Sequence, residues 1–232
     1  MKTIGLIGGM SWESTALYYR HINETVKAQL GGLHSARLIL YSVDFHDVER
    51  LQLAGDWNGA GAIVAAAARA LELAGADFLV LCTNTMHKTA PAIEAAVNIP
   101  LFHIADPTAI AIQRAGYNTV GLLGTRFTME QDFYRERLRE RHGIVALVPE
   151  RADRDLVHSI IYDELCLGNI LPESRVEYAR IMAELASLGA QAIILGCTEI
   201  SMLVDERDAC VPLFDTTSIH ARSAAEWAVA GG

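Results

Sequence analysis

The sequence predicts an α/β fold of two similar Rossmann-like lobes with parallel sheets, related by a pseudo-twofold, with the active site in the cleft between them. Two observations predict it. Short apolar runs that end in Gly or Thr alternate with longer amphipathic segments, the pattern of a parallel sheet flanked by helices. The chain also repeats itself: AGADFLVLCTNT at 74–85 lines up with LGAQAIILGCTE at 188–199, an offset of 114, and IGLIGG at 4–9 with VGLLGT at 120–125, an offset of 116. A first lobe over 1–104 and a second over 105–211 are expected, with 212–232 packing back onto the first.

In chain order, the apolar runs place strands at 3–7, 37–43, 78–82, 119–123, 145–148 and 192–196. The amphipathic segments place helices at 12–30, 57–74, 88–97, 107–115, 128–142, 153–167, 173–188 and 217–229. Ser11, before Trp12-Glu13-Ser14, is the expected N-cap of the first helix. Gly75 and Gly189 follow their helices where a left-handed residue is favoured. Open α/β sheets carry ligands at the carboxyl ends of their strands, so the turns after the strands are where chemistry is sought.

Composition narrows the function classes. With 232 residues, 51% of them apolar, the chain is long enough for a full core. Its 19 basic and 28 acidic residues give a formal charge of −9, and no Lys/Arg run could track a phosphate backbone, so neither nucleic acid nor an anionic membrane is an expected partner. The opening MKTIGLIGG breaks into glycines too early for a signal peptide, and apolar runs such as 60–68 are far short of a membrane span. A cytoplasmic protein is expected. Cys82, Cys166, Cys197 and Cys210 show no CxxC spacing and read as thiols, without disulfides or a structural zinc site.

Of the four, Cys197 is the candidate for chemistry. It lies in LGCTEI, immediately after a strand and before an expected helix, where unpaired backbone N–H groups favour a thiolate. Lowering a thiol pKa from about 8.5 to about 7 takes roughly 2 kcal/mol, near the upper end of what a helix terminus supplies, so a substrate ammonium would help. In the repeat, Thr83 falls opposite Cys197, Asn84 opposite Thr198 and Thr85 opposite Glu199. Two equivalent positions facing one ligand suit a reaction that needs a group on each face. Cys82 sits one register earlier and, since neighbouring side chains on a strand point opposite ways, reads as core. Cys166 and Cys210 read as packing residues.

Candidate substrate-binding residues are the short polar side chains at these turns: Asn84, Thr85, Thr198 and Glu199. To them the topology adds Met10 and Ser11 of the GGMS turn, Gln52 between the second strand and the next helix, and Thr125 and Thr128 at the second-lobe turn. Such residues can hold a carboxylate, and they are also ordinary caps. His87 and His103 fall near the same turns and read more readily as satisfied core or surface histidines. The GGMS turn lacks the full G-x-G-x-x-G of a dinucleotide loop.

Together IGLIGGMSWEST, CTNTMH, LLGTRFTMEQDFY, GCTEI and the downstream FDTTSIHA resemble the aspartate/glutamate racemase family along essentially the whole chain. The resemblance implies two similar α/β lobes with the site between them, no pyridoxal cofactor, no metal, and a homodimer. It also implies an amino-acid substrate racemised by two thiols, one removing the α-proton and the other returning a proton on the opposite face. In that family the first thiol lies in a C-N-T turn. Here the turn reads Thr83-Asn84-Thr85, so Thr83 replaces the first cysteine and Cys197 matches the second. The pair resembles an enterobacterial subgroup of L-aspartate/glutamate-specific or broad-specificity racemases, and it predicts that Cys197 works on the L-substrate and Thr83, or water held by it, on the other face.

A second departure concerns the cations that hold the distal carboxylate in aspartate racemases. No obvious equivalent appears near Asp44-Phe45-His46 or Cys166, and Arg50 and Arg126 are the substitutes to consider, so neutral amino acids join aspartate and glutamate as candidates. Two other functions stay open: a one-cysteine decarboxylase of the same fold, whose pocket should be apolar where this chain has Gln52, Asn84 and Thr85, and an amino-acid-binding protein that has lost catalysis.

Overall fold

A computed structural model describes residues 1–231. The chain divides into two compact units, Met1–Ile104 with His220–Gly232, and Ala105–Ile219. The first contains β1 (Ile4–Gly8), α1 (Trp12–Leu30), β2 (Leu38–Ser42), α2 (Phe45–Leu53), α3 (Trp57–Leu73), β3 (Phe78–Leu81), a 3-10 turn (Thr85–Thr89), α4 (Ala90–Glu94) and β4 (Leu101–Phe102). The second contains α5 (Ala105–Arg114), β5 (Thr119–Gly124), α6 (Arg126–Glu130), α7 (Asp132–His142), β6 (Val145–Leu147) and α8 (Arg151–Ser159). After a π-helical turn and a 3-10 turn come α9 (Pro172–Ser187), β7 (Ile193–Gly196), α10 (Ile200–Leu203) and β8 (Leu213–Asp215); α11 (Thr216–Ala230) starts in this unit and belongs to the first from His220 onward.

Each unit holds one four-stranded, all-parallel sheet, ordered β2-β1-β3-β4 in the first and β6-β5-β7-β8 in the second. The α/β character and the duplication of the topology are as the repeat predicts. The repeated sequences form the two central strands of each sheet, β1 with β3 and β5 with β7.

Period-two alternation along these strands separates two layers in the first unit. Ile7, Leu79 and Leu81 pack with Val64, Ala67, Ala68 and Leu71 of α3. Ile4, Leu6, Phe78, Val80 and Cys82 pack with Tyr18, Ile22 and Val26 of α1 and with Ala221, Ala224, Ala225 and Ala228. Cys82 is thereby assigned to the core, with its neighbour Thr83 free to lie in the turn. In the second unit Leu123, Ile193 and Leu195 pack with Val157 of α8 and with Tyr178, Ile181 and Leu185 of α9. The close approach of helix to strand is repeated: a Cβ on Gly5 would come within 3.3 Å of Leu71 Cβ, and one on Gly121 within 3.3 Å of Leu185 Cβ.

Several elements differ from the sequence reading, each for a physical reason. The helix expected over 128–142 is two, broken where Gln131 turns extended (φ −91°, ψ 148°). Met129 and Tyr134 are both buried, and a spacing of five does not repeat on one face of a single helix. The helix expected over 153–167 begins at Arg151 and passes into π and 3-10 turns after Ser159. Helix α2 was read as a connection because its only buried residues are Val48 and Gln52, too few for a periodic stripe. Gln52 accordingly sits on a helix and not before one. The second unit continues to Ile219, since β8 pairs with β7; the return to the first unit starts at 220, not 212.

Gly9 fixes the turn after β1. Its φ is +93°, and an added Cβ would lie 2.2 Å from the Val43 carbonyl oxygen. Gly9→Ala is expected to lower the unfolding free energy by about 3 kcal/mol, combining a strained φ with a backbone clash. A urea midpoint equal to that of the unsubstituted chain would refute this.

Candidate active site

In the first unit β1 and β3 end side by side, with Ile7 opposite Leu81, so the Gly8–Ser11 and Cys82–Thr85 turns emerge together. Ser11 is the N-cap of α1, its hydroxyl accepting from Ser14 N–H at 3.3 Å. The Thr15 hydroxyl accepts from Gly9 N–H at 2.9 Å and donates to the Ser11 carbonyl at 2.8 Å. Met10, Ser11, Thr83, Asn84 and Thr85 are all buried. Gln52 is buried too, its Nε2 3.1 Å from the sulfur of Met86.

The Thr83 turn is held by a histidine. His87 Nδ1 lies 2.7 Å from the Thr83 carbonyl oxygen, and its Nε2 accepts from Ile104 N–H at 3.2 Å. A carbonyl can only accept, so the ring is the neutral Nδ1–H tautomer with both nitrogens engaged. The His103 ring lies beside it, tilted by 58° with centroids 4.3 Å apart, and is buried. His87 thereby ties the Thr83 turn to the start of the chain segment after β4. Thr83-x-x-x-His87 is the spacing of one helical turn, the signal that could have singled out His87.

In the second unit β5 and β7 end together, Gly124 opposite Gly196, which sets the turn of Thr125 and Thr128 beside that of Cys197. Thr125 caps α6, its hydroxyl accepting from Thr128 N–H at 3.3 Å and lying 3.3 Å from the Thr128 hydroxyl. Thr125 thus occupies the place that Ser11 holds in the first unit. Cys197, Thr198 and Glu199 are buried. The Cys197 thiol donates to Glu199 Oε2 at 3.0 Å, and the Thr198 hydroxyl donates to the same oxygen at 2.5 Å. Glu199, which the sequence reading placed among substrate-binding residues, is therefore the direct partner of the thiol. The C-x-E spacing carried that signal.

Electrostatics at Cys197 run opposite to the sequence expectation. Burial pushes the thiol well above its ordinary pKa, and the neighbouring Glu199 pushes it further. The helix that follows, α10, spans only four residues; Cys197 Sγ donates its proton to the Glu199 carboxylate, and the Glu199 backbone N–H that bonds the sulfur lowers the pKa by less than burial and that charge raise it. Both effects favour the protonated thiol. Cys82 is also held up by burial, with no charged neighbour contributing.

The cations considered for a distal carboxylate are not buried. Arg50 is exposed, and Arg126 is half-exposed and paired with Asp155 at 3.5 Å. Among the described residues no Lys or Arg is buried. Among the described residues no cysteine is in a disulfide. Among the described residues no group of three or more His, Cys, Asp or Glu could hold a metal, and no helix is long and apolar enough to cross a membrane.

Residues 7–224 match the Asp/Glu/hydantoin racemase family. A crystal structure from Yersinia pestis, of a protein provisionally assigned as an Asp/Glu racemase, is 59% identical, covers 99% of this chain and 100% of its own, and superposes with a TM-score of 0.92. An aspartate racemase homologue from Pyrococcus horikoshii OT3 is 35% identical over 99% of this chain and 100% of its own, with a TM-score of 0.84. The broad-specificity amino-acid racemase RacX of Bacillus subtilis is 26% identical over 155 residues, 66% of this chain and 65% of RacX. That match spans just under two thirds of RacX.

Proposed function

The chain belongs to the Asp/Glu/hydantoin racemase family, and from that premise as an amino-acid racemase we propose that Cys197 and Thr83 act on opposite faces of one substrate α-carbon. The observation that carries this reading is the Cys197 thiol hydrogen-bonded to Glu199 at 3.0 Å in a buried turn, at the position equivalent by repeat to Thr83.

In this reading Glu199 takes the thiol proton, and the resulting thiolate removes the α-proton of the L-amino acid. The electron pair left on Cα spreads onto the α-carboxylate. Hydroxyl, amide and backbone N–H groups of Asn84, Thr85 and Thr198, with the Met10–Ser11 and Thr125–Thr128 turns, bind that developing charge. Water held by the Thr83 hydroxyl then protonates the other face, and the hydroxide it leaves is neutralised by the proton on Glu199, so every group returns to its starting state. A threonine hydroxyl is too weak an acid to serve as a resting base, which makes the D-to-L direction slow. The absence of any buried Lys or Arg among the described residues supports a substrate range that includes neutral amino acids beside aspartate and glutamate.

Exchange of the α-proton in deuterated water, followed by NMR for L- and D-aspartate, glutamate and a neutral panel, tests the proposal. Faster exchange on L- than on D-substrates is expected, and no exchange on any amino acid would end it. Thr83→Cys supplies a second thiol and is expected to raise D-substrate exchange at least ~10-fold. An unchanged D-rate would show that the Thr83 side does not limit that direction.

A further inference from the structure

The second unit contains a cavity of about 390 Å³ lined chiefly by Arg126, Arg135, Arg151 and Arg154, with Glu130 and Asp155. In a chain of formal charge −9, four guanidiniums here meet two carboxylates. Arg154 is satisfied, with Nε donating to Glu130 at 2.9 Å and its terminal nitrogen to the Pro149 carbonyl at 2.7 Å. Asp155 is shared, 3.5 Å from Arg126 and 3.9 Å from Arg151.

Arg135 is different. Its Nε is buried and has no hydrogen-bond partner. That N–H is withdrawn from water without an acceptor, while Arg135 is among the side chains that line the cavity. The guanidinium fork matches phosphate and carboxylate oxygens in pairs. Here the forks come from three elements, Arg126 on α6, Arg135 on α7 and Arg151 on α8, which suits the several oxygens of a tetrahedral group better than the two of a planar carboxylate.

We propose that this cavity binds a compact oxyanion of the phosphate-ester or pyrophosphate class, carrying at least two negative charges. None of Cys197, Thr198 and Glu199 lines it. Arg126 and Met129 directly follow Thr125 and Thr128, so an occupant would bear on the α6 turn that carries both threonines.

Calorimetric titration of pyrophosphate into the full chain at low ionic strength tests this. Saturable binding is expected, weakened by added salt and at least ~10-fold weaker in an Arg135→Gln/Arg151→Gln double variant. Arg207→Gln, an exposed arginine paired with Asp205, should bind as the unsubstituted chain does. Arg151→Gln alone serves if the double variant does not fold, because that side chain is 88% exposed and its ion pair, with Asp155, is 3.9 Å long. Citrate is the carboxylate comparison, expected to bind at least ~10-fold more weakly. No saturable binding up to ~10 mM pyrophosphate, or equal binding by the arginine variants, would overturn the proposal. Citrate binding as tightly as pyrophosphate would overturn its phosphate class.

Discussion

Cys197→Ser is expected to keep the fold and to lose α-proton exchange by roughly 10³-fold or more. The replacement is close to isosteric, and the hydroxyl can still donate to Glu199, as the thiol does at 3.0 Å. What changes is acidity. A serine hydroxyl lies far above a thiol in pKa, so under the proposed mechanism Glu199 could not draw off its proton to leave a usable base. Cys82→Ser is the matched control. Cys82 is buried in the first-unit core with no charged partner, so placing a hydroxyl there should destabilise the chain by about 1–3 kcal/mol and leave exchange on the folded fraction intact. Exchange rates per folded molecule, with folded fraction read by circular dichroism, separate the two. A Cys197→Ser enzyme retaining a tenth of the activity would mean that the base is another group.

The same pair of cysteines shows where sequence reasoning reaches and where it stops. The repeat placed Cys82 in the strand register and Cys197 in the turn because strand alternation and the Gly-punctuated ends are local properties, and the two sheets carry them alike. Caps were legible for the same reason: Ser11 before α1 follows from its side chain and the next three residues. The ionisation of Cys197 was not legible. A following helix argued for a lowered pKa, but the helix is a single turn and the thiol's environment is set by burial under Tyr178 and neighbouring apolar groups and by a carboxylate two residues away. Desolvation is a sum over packing from α8, α9 and β7, which no short motif encodes. The break at Gln131 and the helix over Phe45–Leu53 were missed similarly, because their buried faces are completed by other elements.

Glu199→Gln distinguishes a carboxylate that accepts the thiol proton from one that merely lies beside it. In the unsubstituted chain burial, then the Glu199 charge, raise the Cys197 pKa, so the thiolate formed by losing its proton to solvent grows as pH rises, beside that formed by transfer to Glu199. The rate on L-substrates should therefore climb through neutral pH and keep climbing into the ordinary thiol range near 8.5. Glutamine removes the charge while keeping an oxygen for the Thr198 hydroxyl and the thiol to donate to. With that charge gone the thiol pKa falls, and the rising limb of the pH profile moves to lower pH. If Glu199 also carries the proton away, the plateau rate falls by about 10²-fold despite the larger thiolate fraction. The two effects have opposite signs on the acidic side, so a complete profile resolves them where a single-pH assay could show cancellation. A variant whose limb shifts acidward while its plateau equals or exceeds that of the unsubstituted enzyme would leave Glu199 an electrostatic neighbour, and the proton from Cys197 would have to pass directly to water or substrate.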